Sequence, residues 1–174
     1  RLYATSFDNE QVPISIVYRK DKFNKDGTNK LYLYGYGSYG HTVNPTFSSS
    51  ILPLLDRGFV YAIAHVRGSS FLGYDWYMDG KMENKINTFH DFNACAEYLI
   101  EENYTFDKGI TIEGRSAGGL LVGAAMTMKP ELYRTVIAGV PFVDVINTMS
   151  DPTIPLTVPE WEQWGNPNIE KYYH

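Results

Sequence analysis

Apolar and polar residues alternate near the start of the chain. From Val12 to Tyr18 apolar side chains recur at every second position, and the β-prone run Leu2 to Phe7 precedes them across the turn-like sequence Asp8-Asn9-Glu10. A period of two residues is typical of a strand with one buried face. The pattern predicts an antiparallel pair of strands at the start of the fold.

From residue 31 onward the apolar runs become more continuous. Leu31 to Tyr34, Phe59 to Val66 and Tyr133 to Val140 are dominated by apolar residues, which is typical of parallel strands covered on both faces. Helix-forming segments separate these runs, so the connections should be right-handed crossovers. The sequence therefore predicts the α/β class: a mostly parallel sheet with helices on both faces and a functional site at the carboxyl ends of the strands.

Helical spacing is present in two other segments. Phe47 to Arg57 carries apolar residues three and four positions apart, and so does Phe89 to Asn103, where Asn87-Thr88 predicts the helix N-terminus. Neither period is present in Phe71 to Asn84 or in Pro141 to Gly165, and the latter contains four prolines. Both segments are predicted to be irregular.

The clearest candidate chemistry is the sequence G-x-S-x-G formed by Gly114, Ser116 and Gly118. It follows the β-prone run Ile110 to Ile112 and passes directly into small and apolar residues that suit a helix, which is the context of a nucleophile elbow. On such a turn a strained backbone holds the serine hydroxyl clear of its neighbours, and the Ala117 N–H at the helix N-terminus is an oxyanion donor. The competing interpretation is a glycine-rich turn that only packs tightly.

Composition and charge narrow the function. At 174 residues the chain fits one domain, and its net charge of −5 argues against nucleic acid or an anionic membrane as partner but is compatible with a cationic substrate. The single cysteine, Cys95, lies in a helical pattern, so we expect a buried thiol and a reducing compartment. No apolar run has the length of a membrane span. The chain begins at Arg1 within a β-prone run, and we interpret it as part of a longer protein.

Four motifs follow one another along the chain: Leu33 to Gly40, His65 to Gly68, Gly114 to Leu121 and Trp161 to Pro167. Together they resemble the catalytic domain of the prolyl oligopeptidase family of serine peptidases, most of all its oligopeptidase B branch, which cleaves short peptides after Arg or Lys. The resemblance implies an α/β-hydrolase fold and a cytosolic serine peptidase without a cofactor. It also implies that full-length relatives add a β-propeller, absent from these 174 residues, that restricts entry to short peptides.

The resemblance assigns roles in a catalytic centre. Ser116 is the nucleophile, and Tyr36 donates a hydrogen bond to the oxyanion through its phenol, beside the Ala117 N–H. A tyrosine held between Gly35 and Gly37 at the carboxyl end of a strand would face the same crevice as the elbow. From the residues alone, Tyr36 would be interpreted as a packing residue.

The resemblance also implies a pocket for a basic P1 residue. Glu160 would meet the guanidinium of the substrate, and Phe142 would supply a ring on which it stacks. Glu160 and Glu162 flank Trp161, and in an extended segment the two carboxylates would share one side. Without the resemblance, these acidic residues would be interpreted as a solvated surface.

Other positions depart from the family pattern. In the prolyl-cleaving branch an Asn usually follows the nucleophile and a Trp in the later loop stacks on the substrate proline, whereas this chain has Ala117 and Thr157. Prolyl specificity is therefore disfavoured. Where oligopeptidase B relatives can carry aspartates that favour a basic P2 residue, this chain has Asn44 and Thr46. We therefore expect little preference for dibasic substrates.

The largest departure concerns the catalytic triad. In the family the Asp and the His follow the nucleophile by roughly 85 and 120 residues, in the chain order of the fold, whereas only residues 117–174 follow Ser116. We interpret residues 1–174 as the N-terminal and central part of a peptidase domain, truncated on its C-terminal side, and expect a poor enzyme in isolation.

Substitutes for the missing base and acid would have to come from His41, His65, His90, His174 and Asp144. His65 and His90 are predicted to be structural, and Asp144 is predicted to cap a loop. Two alternatives stay open on the sequence: an esterase or prolyl-type peptidase that uses the same elbow, and a non-catalytic fragment of the hydrolase fold.

Overall fold

Six strands form one sheet in the computed structural model, which describes residues 1–173. The strands are β1 (Leu2–Thr5), β2 (Gln11–Val17), β3 (Leu31–Tyr34), β4 (Val60–Ala64), β5 (Ile110–Arg115) and β6 (Tyr133–Gly139). Their order across the sheet is β1-β2-β4-β3-β5-β6. β1 and β2 pair antiparallel, β2 is antiparallel to β4, and the remaining pairs are parallel. The predicted α/β class with an antiparallel start is confirmed.

The helices are α1 (Leu52–Asp56), α2 (Tyr74–Met78), α3 (Lys85–Glu101), α4 (Ala117–Met128), α5 (Val145–Ser150) and α6 (Thr157–Trp164). On one face of the sheet α3 packs on β1 and α4 packs on β5 and β6. On the other face α1 packs on β4, and Tyr32, Tyr34 and Tyr61 line a cavity of about 440 Å³. No helix within residues 1–173 combines the length and the apolar character needed to cross a bilayer.

The core lies between the sheet and the pair α3 and α4. Its largest fully buried side chains are Phe92, Ile14, Leu31, Leu33, Leu99, Ile110, Ile112, Leu121, Val12, Val60, Val66 and Val122. Cys95 is buried in this core, and burial raises the pKa of its thiol well above the usual value. The structure confirms the expected burial of this thiol.

An ion cluster around the buried Arg67 joins the antiparallel strands to the parallel part of the sheet. Arg67 follows β4, and its guanidinium donates to both carboxylate oxygens of Asp91 in α3, at 2.9 and 2.7 Å. It also donates to Asp8, in the turn between β1 and β2, at 2.5 and 3.1 Å. The Ser6 hydroxyl donates to Asp91 at 2.7 Å. Because Arg67 and Asp91 are buried, each charge depends on these partners.

Two helix boundaries differ from the prediction. α1 begins at Leu52 rather than at Phe47. Phe47 is 83% exposed and is not part of the core, so burial of its side chain does not stabilise a longer helix. α3 begins at Lys85, before the predicted start at Asn87-Thr88. Thr88 does not cap the helix, because its hydroxyl donates to the carbonyl of Arg67 at 2.9 Å.

The prediction that residues 71–84 and 141–165 are irregular is wrong in part. α2 lies in the first segment, and α5 and α6 lie in the second. Pro159 does not prevent α6, because it lies in the first turn, where an N–H has no partner within the helix. The indole of Trp161 donates to the carbonyl of Met149 at 2.9 Å and fixes α6 on α5.

Candidate active site

Ser116 lies between the end of β5 and the start of α4 with φ 56° and ψ −118°. A positive φ is unfavourable for a residue with a side chain, so the surroundings must hold it. The Ser116 N–H donates to Gly139 at 2.8 Å, and its carbonyl accepts from Gly119 at 2.8 Å and from Phe142 at 3.1 Å. The residue is exposed, and no hydrogen bond within residues 1–173 occupies its hydroxyl. The structure thus has the strand, sharp turn and helix of a nucleophile elbow.

Glycines allow the backbone to approach closely around this turn. A Cβ at Gly114 would overlap the carbonyl of Gly118, and a Cβ at Gly118 would lie 2.8 Å from the carbonyl oxygen of Gly35. A Cβ at Gly119 would lie 2.6 Å from Cα of Pro141. These distances are shorter than any carbon side chain tolerates, so side chains here would force the elbow apart.

Tyr36 lies beside the elbow, as predicted from its place after β3. A Cβ at Gly118 would be 3.3 Å from Cα of Tyr36, and β3 and β5 are parallel neighbours whose carboxyl ends meet. Burial raises the pKa of the Tyr36 phenol, which keeps it in the form that donates a hydrogen bond. The amide of Ala117, first in α4, has no acceptor within its helix. Two hydrogen-bond donors are therefore available beside Ser116.

Glu160 projects from α6 to the glycine-rich segment after β3. Its Oε2 accepts from the Tyr39 hydroxyl at 2.9 Å and from the Trp164 indole at 3.0 Å. Burial and then the hydrogen bond to Glu160 raise the pKa of the Tyr39 phenol. No Lys or Arg within residues 1–173 forms an ion pair with Glu160. The carboxylate is therefore held by neutral donors alone.

Phe142 and Glu160 meet at one indole. The ring of Phe142 lies 5.2 Å from the ring of Trp164, whose Nε1 donates to Glu160. Because the backbone of Phe142 also donates to Ser116, this aromatic cluster adjoins the elbow. The structure therefore brings the two predicted pocket residues close to the elbow, and we call the space between this aromatic cluster and the elbow the cleft.

The expectation that Glu160 and Glu162 share one side is wrong. It assumed an extended segment, whereas both residues lie in α6. Residues two positions apart in an α-helix point in directions that differ by about 200°, so their side chains lie on opposite sides of the helix. Glu162 is exposed and its carboxylate has no hydrogen bond among the described residues. Glu160 is the carboxylate that remains at the cleft.

The histidines within residues 1–173 do not bond to Ser116. His65 is buried, forms a 2.7 Å hydrogen bond with Ser15, and has its pKa lowered to about 4 by burial and by Arg1. His90 packs against an aromatic ring, and His41 is exposed with its ring edge on Tyr36 at 5.2 Å.

The two remaining candidates are Asp144 and His174. Asp144 precedes α5, and its carboxylate accepts from Asn147 at 2.9 Å. The carboxylate makes no capping hydrogen bond to the backbone of α5, so the predicted capping role is not seen. His174 lies outside the described residues.

Three side chains at the cleft were not singled out by the sequence reasoning: Tyr39, Trp164 and Lys85. The first two lie in the motifs after β3 and in α6, and their aromatic character was the available signal. Nothing about Lys85 in the sequence distinguishes it from a solvated lysine. Within residues 1–173 no group of three or more His, Cys, Asp or Glu side chains could hold a metal ion.

Comparisons with known proteins place the chain in a family. The prolyl oligopeptidase family matches residues 45–174. The chain is 49% identical over 174 residues to a protein named dipeptidyl aminopeptidase BI from Pseudoxanthomonas mexicana, across 99% of this chain and 24% of that protein. It is 48% identical over 173 residues to Protease 2 from Moraxella lacunata, across 99% and 25%. Oligopeptidase B from Leishmania major matches the structure with a TM-score of 0.96 at 52% identity, across 99% and 24%. The chain thus spans about a quarter of the length of these relatives.

Proposed function

The chain belongs to the prolyl oligopeptidase family of serine peptidases, and from this we propose that it carries the nucleophile and the oxyanion hole of an oligopeptidase that cleaves short peptides after Arg or Lys. The observation that supports this most directly is Ser116, held at φ 56° at the N-terminus of α4 with an exposed hydroxyl. Acyl transfer requires a nucleophile that is positioned in this way.

The proposed reaction uses the donors beside Ser116. Its hydroxyl oxygen attacks the carbonyl carbon of the scissile bond, and the carbonyl oxygen takes the negative charge. The Ala117 N–H and the Tyr36 hydroxyl donate to that oxygen. A general base takes the serine proton and returns it to the leaving amine as the C–N bond breaks, which leaves an acyl-enzyme ester. Water then hydrolyses the ester by the same proton transfers and restores the serine.

We place the base and the carboxylate that orients it outside residues 1–174. His65 is committed to Ser15, and no described histidine bonds to Ser116. The relatives are far longer than this chain and have room for both residues, and for a propeller domain that would restrict entry.

Glu160 supports the preference for a basic P1 residue. Its carboxylate is anchored by Tyr39 and Trp164, both neutral donors, beside the aromatic rings of Trp164 and Phe142. A carboxylate next to aromatic faces suits a guanidinium, which can form charge-assisted hydrogen bonds and stack on a ring.

The test compares the 174-residue chain with the longest natural protein that contains it. Both are assayed with an N-blocked Arg-amide and with its citrulline counterpart, which has the same shape without the charge. We expect the longer protein to hydrolyse the Arg substrate far faster than the citrulline one, and the 174-residue chain to be slow with both. Equal rates for the two proteins would show that a base within this chain acts. Equal rates for the two substrates would contradict the basic specificity.

The name of one relative supplies a second arm. A dipeptidyl aminopeptidase releases a dipeptide from a free N-terminus, so a Gly-Arg-amide is assayed with and without a blocking group on its N-terminus. Hydrolysis of the blocked substrate supports the oligopeptidase proposal, and hydrolysis of the free one alone would favour the aminopeptidase reaction.

A further inference from the structure

Lys85, the first residue of α3, has an enclosed ammonium group. The residue as a whole is partly exposed, but its Nζ donates to the carbonyls of Gly37 at 2.5 Å and Gly80 at 3.4 Å. It also donates to the hydroxyls of Ser38 at 2.9 Å and Thr88 at 3.2 Å. No carboxylate within residues 1–173 forms an ion pair with it. An ammonium surrounded by neutral oxygens alone is costly to keep, which calls for an explanation.

Two of the four acceptors belong to the loop that carries Tyr36. Gly37 has φ 72°, and a Cβ there would lie 2.5 Å from a methyl carbon of Thr88 and 2.7 Å from one of Val66. Ser38 is fully buried. Lys85 therefore hydrogen-bonds to the backbone of Gly37, the residue directly after Tyr36. The close contacts around Gly37 also limit how far this backbone can shift.

Lys85 also reaches the opposite wall of the cleft. Its Nζ lies 5.5 Å from the ring centroid of Trp164, the residue whose indole holds Glu160. Burial lowers the pKa of Lys85 to about 7, whereas the four oxygen acceptors favour its charged form. The ammonium thus contacts both the glycine-rich loop and α6.

We propose that Lys85 is a positioning residue for catalysis: by holding Gly37 and Ser38, it keeps the Tyr36 phenol where it can donate to the oxyanion. The inference rests on the proposed function, since it requires Tyr36 to act there. A lysine can do this because one ammonium carries three N–H donors and can bond several acceptors of a tight loop at once. The Tyr36 side chain forms no hydrogen bond within residues 1–173 that would hold this backbone, and its ring only packs near His41 and Tyr39, at 5.2 and 6.4 Å.

The test is a double-mutant cycle in the longest natural protein that contains the chain, assayed with the Arg-amide. Lys85→Met removes the donors and keeps the alkyl stem. We expect kcat to fall about 10- to 100-fold, because a misplaced oxyanion donor weakens transition-state binding, with KM changed less than about twofold. In a Tyr36→Phe background the same change should lower kcat less than about twofold further, because the group it positions is already gone.

Lys81→Met is the matched control. Lys81 precedes α3, its Nζ lies over the ring of Tyr77 at 5.2 Å, and it forms no hydrogen bond with Gly37 or Ser38. We expect wild-type kcat and KM. A further readout is a peptide aldehyde, which places an oxyanion in the site when Ser116 adds to it. Lys85→Met should weaken the aldehyde by the same factor as kcat/KM and leave the affinity for the product acid unchanged.

Equal losses of kcat from Lys85→Met in the wild-type and Tyr36→Phe backgrounds would overturn the proposal, as would an unchanged kcat. If Lys85→Met does not fold, Ser38→Ala removes one of its anchors and should lower kcat about three- to tenfold, again without further effect in Tyr36→Phe. An unchanged kcat in that variant would also overturn it. Loss of activity in Ser116→Ala separates these outcomes from failure of the proposed function, which would appear as activity that survives without Ser116.

Discussion

The two walls of the cleft differ in what they are made of: one consists of closely packed backbone and the other of side chains. The elbow wall, Ser116 to Gly119 against residues 35–37, is made by backbone in close approach, since a Cβ at Gly118 would lie 2.8 Å from the carbonyl oxygen of Gly35. The α6 wall is made by side chains, with Glu160 and Trp164 bonded to the hydroxyl of Tyr39.

This difference separates two tasks. Backbone in close contact cannot adjust to a ligand, so the elbow wall suits groups that must be in place before the reaction. The α6 wall can exchange neutral hydrogen bonds on Glu160 for those of a guanidinium. We therefore expect the elbow wall to set the rate and the α6 wall to select the substrate.

The largest effect should come from Ser116→Ala. Without the nucleophile, kcat should fall by at least about 10⁴-fold, and the residual rate would come from the oxyanion hole and binding alone. Fluorophosphonate labelling should disappear while circular dichroism is unchanged. Labelling that persists in the variant would contradict the assignment of Ser116 as the nucleophile and would show that the elbow wall does not supply the attacking group.

Glu160→Gln tests the α6 wall. We expect a loss of about 2–4 kcal/mol in transition-state binding for P1 Arg, about 30- to 1000-fold in kcat/KM, because a desolvated cation loses its partner. The citrulline substrate should be nearly unaffected. Glu162→Gln, on the exposed side of the same helix, is the matched control and should match the wild type for both substrates. Equal losses for both substrates in Glu160→Gln would mean that the α6 wall affects the reaction rate in general and does not select the substrate by its charge.

Gly118→Ala tests the tightness of the elbow wall against Gly123→Ala in the same helix. The first adds a Cβ 2.8 Å from Gly35, whereas the second adds one 3.6 Å from a methyl carbon of Val143. We expect Gly118→Ala to lower kcat about 10- to 100-fold and to destabilise the fold by about 1–3 kcal/mol. Gly123→Ala should stabilise it by up to about 1 kcal/mol. Thermal unfolding and kcat give both answers, and equal behaviour of the variants would refute the close-packed wall.

The smallest effect concerns P2. Asn44 and Thr46 are exposed and neutral, so Arg-Arg substrates should exceed Gly-Arg substrates in kcat/KM by less than about threefold. Asn44→Asp should raise that preference, and the gain should shrink at high salt. A large dibasic preference in the wild type would mean that an acidic group outside these two walls contacts the P2 residue.

The two walls also differ in how far the sequence predicts them. The elbow is local: a β-prone run, the two glycines that flank Ser116 in G-x-S-x-G, and a helix-forming run lie within residues 110–128, and each leaves a pattern. The α6 wall is not. Tyr39 and Glu160 are 121 residues apart, and four prolines between Pro141 and Gly165 hide two short helices that depend on tertiary contacts. Local sequence propensity therefore predicts irregular structure there, whereas packing against the rest of the fold stabilises the two helices.

Lys85 was missed for the same reason. A lysine at the start of a helix is ordinarily solvated, and its acceptors lie in segments that only the folded chain brings together, such as Gly37 and Gly80. The Glu160 and Phe142 assignments came from the family resemblance, and the structure supplies the geometry that the resemblance left open.

The Arg67 cluster gives the molecule a specific weakness in acid. The hydrogen bond from Arg67 holds the pKa of Asp8 below its usual range. A carboxyl with a lower pKa in the folded state adds stability above its unfolded pKa of about 4 and loses that stability as the pH falls through the folded value. Asp8 ties the β1–β2 turn to the parallel sheet through Arg67, so acid should release this hairpin before it unfolds the rest. Amide exchange in β1 should then rise ahead of exchange in β5 on acidification, and simultaneous loss of protection would show that the hairpin and the parallel sheet unfold as one.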